Sequence, residues 1–291
     1  MTAENVVPST AFYRCSQSEV QGKQEPQPTE RMQVGRFLNF AGRYSHAALF
    51  AATTFTIGLI SPKRRSVIAQ LARAANYREY PRLLLPEVAI STLTSDSTTV
   101  SLANPEGVEG NVSLLELLVL ARLVRERRPR TIFEIGTFNG RTTRVLAENA
   151  PDDARVLTLD LPAGQSTELQ LVRKERVFVE KPASGALVAA SPVASKVSQL
   201  FGDSATFDFS PFEIDMAFID GSHAMDYVMN DSRKCLGMLR GGRGTLVWHD
   251  YGEWEGVTRA LHLLRERDGA FRALRHIRGT TLAILEIGPV A

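Results

Sequence analysis

Thr131-Ile132-Phe133-Glu134-Ile135-Gly136-Thr137-Phe138-Asn139-Gly140 is the stretch on which the fold turns. Its first five residues read as a short buried strand, and Gly136 to Gly140 is a glycine-bearing turn into a helix through Arg144-Val145-Leu146. Upstream, Ser113 is an N-cap with Glu116 three residues on, which predicts a helix over Leu114 to Arg127 that Pro129 stops. Downstream, a second strand runs over Val156 to Leu159 and finishes at Asp160. Further strands are expected at Val197 to Phe201, Asp215 to Ile219 and Thr245 to Trp248. Helices are expected between them, at Met225 to Leu239 and Val257 to Arg267. Strands alternating with helices predict an α/β, Rossmann-like fold with a mostly parallel sheet covered on both faces. Phe271 to Ile277 and Thr281 to Ile287, joined at Gly279-Thr280, read instead as a C-terminal antiparallel hairpin at the sheet edge.

Ligands of such sheets sit beyond the carboxyl ends of the strands. Five tips surround that crevice: Glu134 to Gly140, Asp160, Gly202-Asp203-Ser204, Asp220 to His223, and His249 to Tyr251. All carry polar or glycine residues just past an apolar run. The first glycine turn lacks the closely spaced triple glycine of a dinucleotide pyrophosphate site. Asp160 is placed either to accept both hydroxyls of a ribose or to cap a helix. Gly202-Asp203-Ser204 is either the edge of an adenine site or a plain turn. Asp220 and Asp250 converge from neighbouring strand ends, and two such carboxylates repel unless a proton or a hard dication such as Mg²⁺ lies between them. His223, with an imidazole that titrates near neutrality, is a candidate general base, and His249 is the alternative. Trp254 either packs or stacks on a bound acceptor.

Taken in order, these motifs resemble a class I S-adenosylmethionine-dependent methyltransferase. The nearest likeness is to bacterial small-molecule and sugar O-methyltransferases with D-G-x-H and H-D-Y strand ends. The resemblance covers residues 110–291 and implies a seven-stranded sheet. It implies that Glu134, Gly136, Thr137, Asn139 and Gly140 shape the methionine side of the cofactor pocket. Asp160 would hold the ribose, Asp203 and Ser204 would border the adenine, and Asp220 would complete the site. It further implies a small-molecule acceptor, His223 as base and a metal on Asp220 and Asp250, with His249 or Tyr251 the third ligand according to strand register. The alternatives are an NAD-dependent oxidoreductase on a similar sheet and a catalytically inactive binding module.

The rest of the chain bounds these readings. With 291 residues, 44% hydrophobic and 23% charged, it falls outside collagen-like, disulfide-rich and wholly disordered classes. The net charge of +2 gives no reason to expect a nucleic acid as partner. Two distant cysteines, Cys15 and Cys235, without an apparent export signal predict free thiols and a cytoplasmic setting. Residues 1–35 are polar and predict a flexible arm; 36–109 predict a helical N-terminal extension ahead of a catalytic domain over 110–291. Within the extension, Phe37 to Leu59 has helical periodicity, and Ala47 to Ile60 carries no charge before Lys63-Arg64-Arg65. Three readings stand for it: a helix buried on the domain or in a homo-oligomer, a peripheral membrane contact through residues 37–65, or a marginal span extended back to Phe37. A further helix is expected over Ser66 to Tyr77.

Overall fold

The computed structural model describes residues 30–57, 60, 61, 65, 67, 68 and 84–288, except 105, 109 and 182. Cys15, Lys63, Arg64, the arm up to residue 29 and most of the helix expected over Ser66 to Tyr77 lie outside the described residues. The chain divides into two compact units, Met1–Gln70 and Leu71–Ala291.

The first unit contains α1, Glu30–Ile57, which takes in the last residues of the expected arm. Leu49, Phe50 and Phe55 on this helix are exposed. Among the described residues no helix is long and apolar enough to cross a membrane. That statement covers the expected run from Phe37 to Leu59 as far as Ile57.

The second unit is built on a sheet of eight strands in the order β1-β7-β8-β6-β5-β2-β3-β4. The strands are β1 Glu87–Val88, β2 Thr131–Ile135, β3 Arg155–Asp160, β4 Val197–Phe201, β5 Met216–Ile219, β6 Gly244–Trp248, β7 Arg275–Ile277 and β8 Ala283–Ile287. The helices of this unit are α2 Ile90–Leu93, α3 Leu114–Arg127, α4 Arg141–Asn149, α5 Arg176–Val179, α6 Ala186–Ala189, α7 Met225–Met238 and α8 Glu255–Arg267. β2 to β6 run parallel, whereas β8 is antiparallel to both β6 and β7. The hairpin and the α/β order are as the sequence predicts.

Two expectations are corrected. The sheet has eight strands rather than seven, because Glu87 and Val88 pair in parallel with His276 and Ile277 as an outer strand, β1. The helical extension therefore does not run to residue 109: the compact unit begins at Leu71, and the segment from residue 84 already lies on the sheet edge. Its backbone is held there by His276 N donating to Pro86 O and Arg278 N donating to Val88 O.

Successive strand residues feed opposite cores, which is why the strands read as unbroken apolar runs. Phe133, Ile135, Leu157, Ala217, Ile219, Leu246 and Trp248 face one core, with α7 and α8 residues such as Val228, Cys235 and Leu261. Ile132, Val156, Met216, Phe218 and Val247 face the other, against Leu117, Leu120, Val124 and Leu146 of α3 and α4. In register, Ile135 lies beside Leu159 and Ile219, and Ile219 beside Trp248. The carboxyl ends therefore come level, and the polar residues that follow meet at one edge of the sheet.

Candidate active site

The β2 tip turns on glycine. Gly136 has φ +99°, and a Cβ there would lie 2.0 Å from the Asp220 carbonyl oxygen, so no other residue fits. Gly140, with φ +84°, caps α4, and a Cβ would crowd Val188 and Gly185. The side chains of this tip are used internally. Thr137 Oγ1 and Thr158 Oγ1 are 2.7 Å apart, and Asn139 exchanges two hydrogen bonds with Asn111. Glu134 is fully buried: its Oε2 accepts from Thr158 and Thr143, while Oε1 has no partner among the described residues. Burial pushes this carboxyl up to about 8, so it is protonated at neutral pH.

Asp160, the last residue of β3, is 7% exposed. No helix follows it directly, which removes the helix-cap alternative. Its Oδ2 meets Lys181 Nζ at 2.7 Å and accepts from Ser184 Oγ. Asp203 is turned into the protein: Oδ1 accepts from Ala205 N and Tyr227 Oη at 2.9 and 2.8 Å, and Oδ2 from Glu168 N at 2.7 Å. Ser204 is also committed, its carbonyl accepting from Asn230 and Lys234 and its side chain bonding Asp231. These two residues lie at the tip where the sequence puts them, with their polar side-chain atoms spent on α7, on their own turn and on the segment before β4. A cavity of about 580 Å³ lies nearby, lined by residues 164–171, Arg176, Val179 and Glu180, with no strand tip in its wall.

The β5 and β6 tips behave differently. α7 begins at Met225 with Ala224 as its cap, so Asp220 is not a helix cap and its carboxylate is left for the crevice. Asp220 Oδ1 lies 3.0 Å from His249 Nδ1, and that nitrogen is 3.3 Å from Asp250 Oδ2. His249 Nε2 lies 3.4 Å from Glu116 Oε2. His223 is gripped from both sides, Nδ1 by Glu175 Oε2 at 2.8 Å and Nε2 by Asp250 Oδ2 at 2.7 Å. Trp254 stacks on its ring at 4.0 Å and 14°. Burial alone would lower both imidazoles. Against it, Asp250 and Glu175 hold His223 up at about 9, and Asp250 with Asp220 holds His249 well above the ordinary histidine value. Burial raises the Asp220 carboxyl, while the two histidines keep Asp250 low despite its burial.

The strand register leaves one reading of the H-D-Y tip. Asp250 has φ +64°, and Tyr251 is turned inward, its hydroxyl accepting from Leu85 N at 2.7 Å. Asp220, His249 and Asp250 form the group, each offering one ligand atom within 4.8 Å of the others. Two carboxylates and an imidazole fit a dication, and the nitrogen suits Mn²⁺ or Zn²⁺ better than Mg²⁺.

Residues 133–251 match the family model described as a methyltransferase domain. Over these residues the chain is similar to a methyltransferase domain. The match begins in β2 and ends at Tyr251, so it encloses all five tips. No curated protein matches the chain. Among solved structures, the chain is similar to the O-methyltransferase TomG from Streptomyces achromogenes, involved in tomaymycin synthesis and solved with SAM. Identity is 22% over 61% of this chain and 82% of that one, with a TM-score of 0.43. It is also similar to an O-methyltransferase from Bacillus cereus in complex with SAH, at 16% identity over 68% of this chain and 100% of that one, TM-score 0.44. A third is the SAH-bound Podospora anserina methyltransferase PaMTH1, at 16% identity, 62% and 81% coverage, TM-score 0.43.

Three residues of the candidate site are not marked in the sequence. Glu175 and Lys181 come from the segment between β3 and β4, which has no periodicity to mark them. Glu116 stands in the sequence only as the partner in a capping box. That box is present, but the carboxylate also accepts from Thr281 N and Oγ1 at 2.6 and 2.7 Å and reaches His249.

Proposed function

We propose that the chain transfers a methyl group from S-adenosylmethionine to an oxygen of a small hydroxylated molecule, a natural product or a sugar. The observation that carries the reading is the convergence of His223, Asp250, His249 and Asp220 at the β5 and β6 tips of a methyltransferase domain. Bound S-adenosylmethionine supplies an electrophilic methyl on a sulfonium. Asp160 is the carboxylate chemically suited to its ribose diol, by exchange of the contacts to Lys181 and Ser184. Gly136 and Gly140 let the β2 tip close against Asp220, Val188 and Gly185, which shapes the turn along which its methionine part would lie. Asp203 and Ser204 offer the adenine backbone rather than side-chain groups.

His223 acts as the base with Asp250. The Nε2 proton already lies between them, so the pair first gives this proton to solvent; the freed pair then takes the acceptor hydroxyl's proton as the oxygen bonds the methyl and the sulfonium leaves as the thioether. His249, held by Asp220, Asp250 and Glu116, is better placed as a ligand than as a base. Asp220, Asp250 and His249 would hold a divalent cation, which lowers the pKa of a hydroxyl bound to it.

Calorimetric titration with S-adenosylmethionine and with NAD tests the cofactor. Binding of the first alone is expected; binding of NAD alone would replace the transferase reading with the oxidoreductase one, and binding of neither would favour an inactive module. For the metal, chelation should abolish turnover, and Asp250→Asn should raise the Mg²⁺ or Mn²⁺ concentration needed to restore it. Turnover that survives chelation would remove the cation and leave the base.

A further inference from the structure

One segment, residues 161–185, passes over four of the five tips. Gly185 N donates to Phe138 O at 2.9 Å, Lys181 and Ser184 meet Asp160, Glu168 N meets Asp203, and Glu175 meets His223. We propose that Glu175, delivered by this strap, is the positioning residue of His223, so that the base of the transfer reaction is completed by the strap and not by the sheet alone. The proposal rests on the reading of His223 as the base.

Glu175 is 3% exposed, and burying a carboxylate is costly unless donors surround it. One oxygen has a local duty: Oε1 accepts from Val172 N at 2.8 Å, capping its own short helical turn. A cap explains no more than that. Oε1 also accepts from Ser222 Oγ at 2.7 Å, and Oε2 accepts from His223 N at 2.7 Å and His223 Nδ1 at 2.8 Å. Three of the four donors thus come from the dipeptide just past the β5 tip. The ring needs such a partner. Trp254 sets the plane of the imidazole by stacking, but a stacked face is indifferent to a half-turn of the ring, which exchanges Nδ1 with a carbon. A carboxylate can only accept, so Glu175 holds Nδ1–H on its own side and directs Nε2 to the β6 tip, where Asp250 and His249 lie. This is the work that the orienting acid does for histidine in an acid–base pair.

The test is the state of His223 in the full-length protein, read from long-range ¹H–¹⁵N histidine spectra and assigned by loss in His223→Ala. A slowly exchanging Nδ1–H signal of His223 is expected in the wild type. Glu175→Gln keeps the shape but can turn an amide donor toward Nδ1; the signal should disappear while affinity for S-adenosylmethionine changes less than about threefold. Glu175→Asp keeps the charge one methylene further away, and the signal should return shifted and weaker. This second variant also carries the test should Glu175→Gln not fold. An Nδ1–H signal identical to wild type in either variant would overturn the proposal. Failure of the base reading itself looks different: His223→Ala would turn over as the wild type does, with the Nδ1–H signal of the wild type intact.

Discussion

The two ends of the crevice are built from the same parts and used in opposite ways. At the β3 and β4 tips, Asp160, Asp203 and Ser204 are each paired with donors of the chain itself: Lys181, Ser184, Ala205 and Glu168 from loops, and Tyr227 and Asn230 from α7. At the β5 and β6 tips, acids and imidazoles from adjacent strands face one another, and every close pair holds one group that can lose a proton. The sheet register brings all of them to one edge. What a side chain can offer there is decided by the segment that returns over it. A tip with saturated partners serves packing, or serves binding only by exchange; a tip where a carboxylate meets an imidazole, the side chain that ordinarily titrates nearest neutrality, can move a proton.

The largest expected effect tests the β5–β6 end. His223→Ala should lower turnover by roughly 10²–10⁴-fold with little change in cofactor affinity. Steady-state kinetics with calorimetry separates the two, and an affinity loss as large as the rate loss would erase the contrast between the ends. Next comes Asp160→Ala, expected to weaken S-adenosylmethionine by roughly 10²-fold, since hydrogen bonds to a charged group are worth about 1.5–3 kcal/mol each. Wild-type affinity in the folded variant would take Asp160 out of the cofactor site.

Asp203→Ala sharpens the contrast within one end. It removes the acceptor of the Tyr227 hydroxyl proton and of two backbone N–H groups, so denaturant unfolding should register a loss of about 1–3 kcal/mol. Cofactor affinity should stay put; weaker binding at unchanged stability would return Asp203 to the adenine.

The smallest effect concerns Glu134, beneath the crevice. Its carboxyl keeps a proton to about pH 8 in the folded chain but ionises near 4.5 in an unfolded one. A group whose folded pKa is raised contributes most below its unfolded value and loses that contribution as pH rises to the folded value. Stability of the wild type should therefore decline across this window through this residue. Glu134→Gln has no proton to lose and should exceed the wild type near pH 8, with the gap closing toward pH 4. A gap that does not vary with pH would show that Glu134 is ionised in the native protein.

The sequence was legible where signals are local. Ser113, Glu116 and Pro129 bound α3 at the residues where it starts and stops, and the apolar runs of β2 and β4 have their expected ends. β1 was not legible, because two residues carry no period and only the pairing of Glu87 with His276, far along the chain, makes them a strand. The same short strand moved the domain boundary and raised the strand count. At the site, the five tips were readable because each ends an apolar run. Their partners were not: Glu175 reaches His223 across 48 residues, from a polar stretch without repeat. The start of α1 at Glu30 was hidden for a related reason, since polar residues there look like those of the arm before them.

The pairing of Asp160 with Lys181 and Ser184 has a consequence in time. A ligand seeking that carboxylate displaces two contacts that already satisfy it, and displacement takes longer than docking onto an open surface. Association should then level off with rising ligand concentration, at the rate at which Lys181 and Ser184 let go, where a bare carboxylate would give a line without a ceiling. Raising the salt concentration loosens an ammonium–carboxylate pair only to the extent that water and ions reach it. At 7% exposure Asp160 is nearly sealed, so that ceiling should respond weakly to ionic strength.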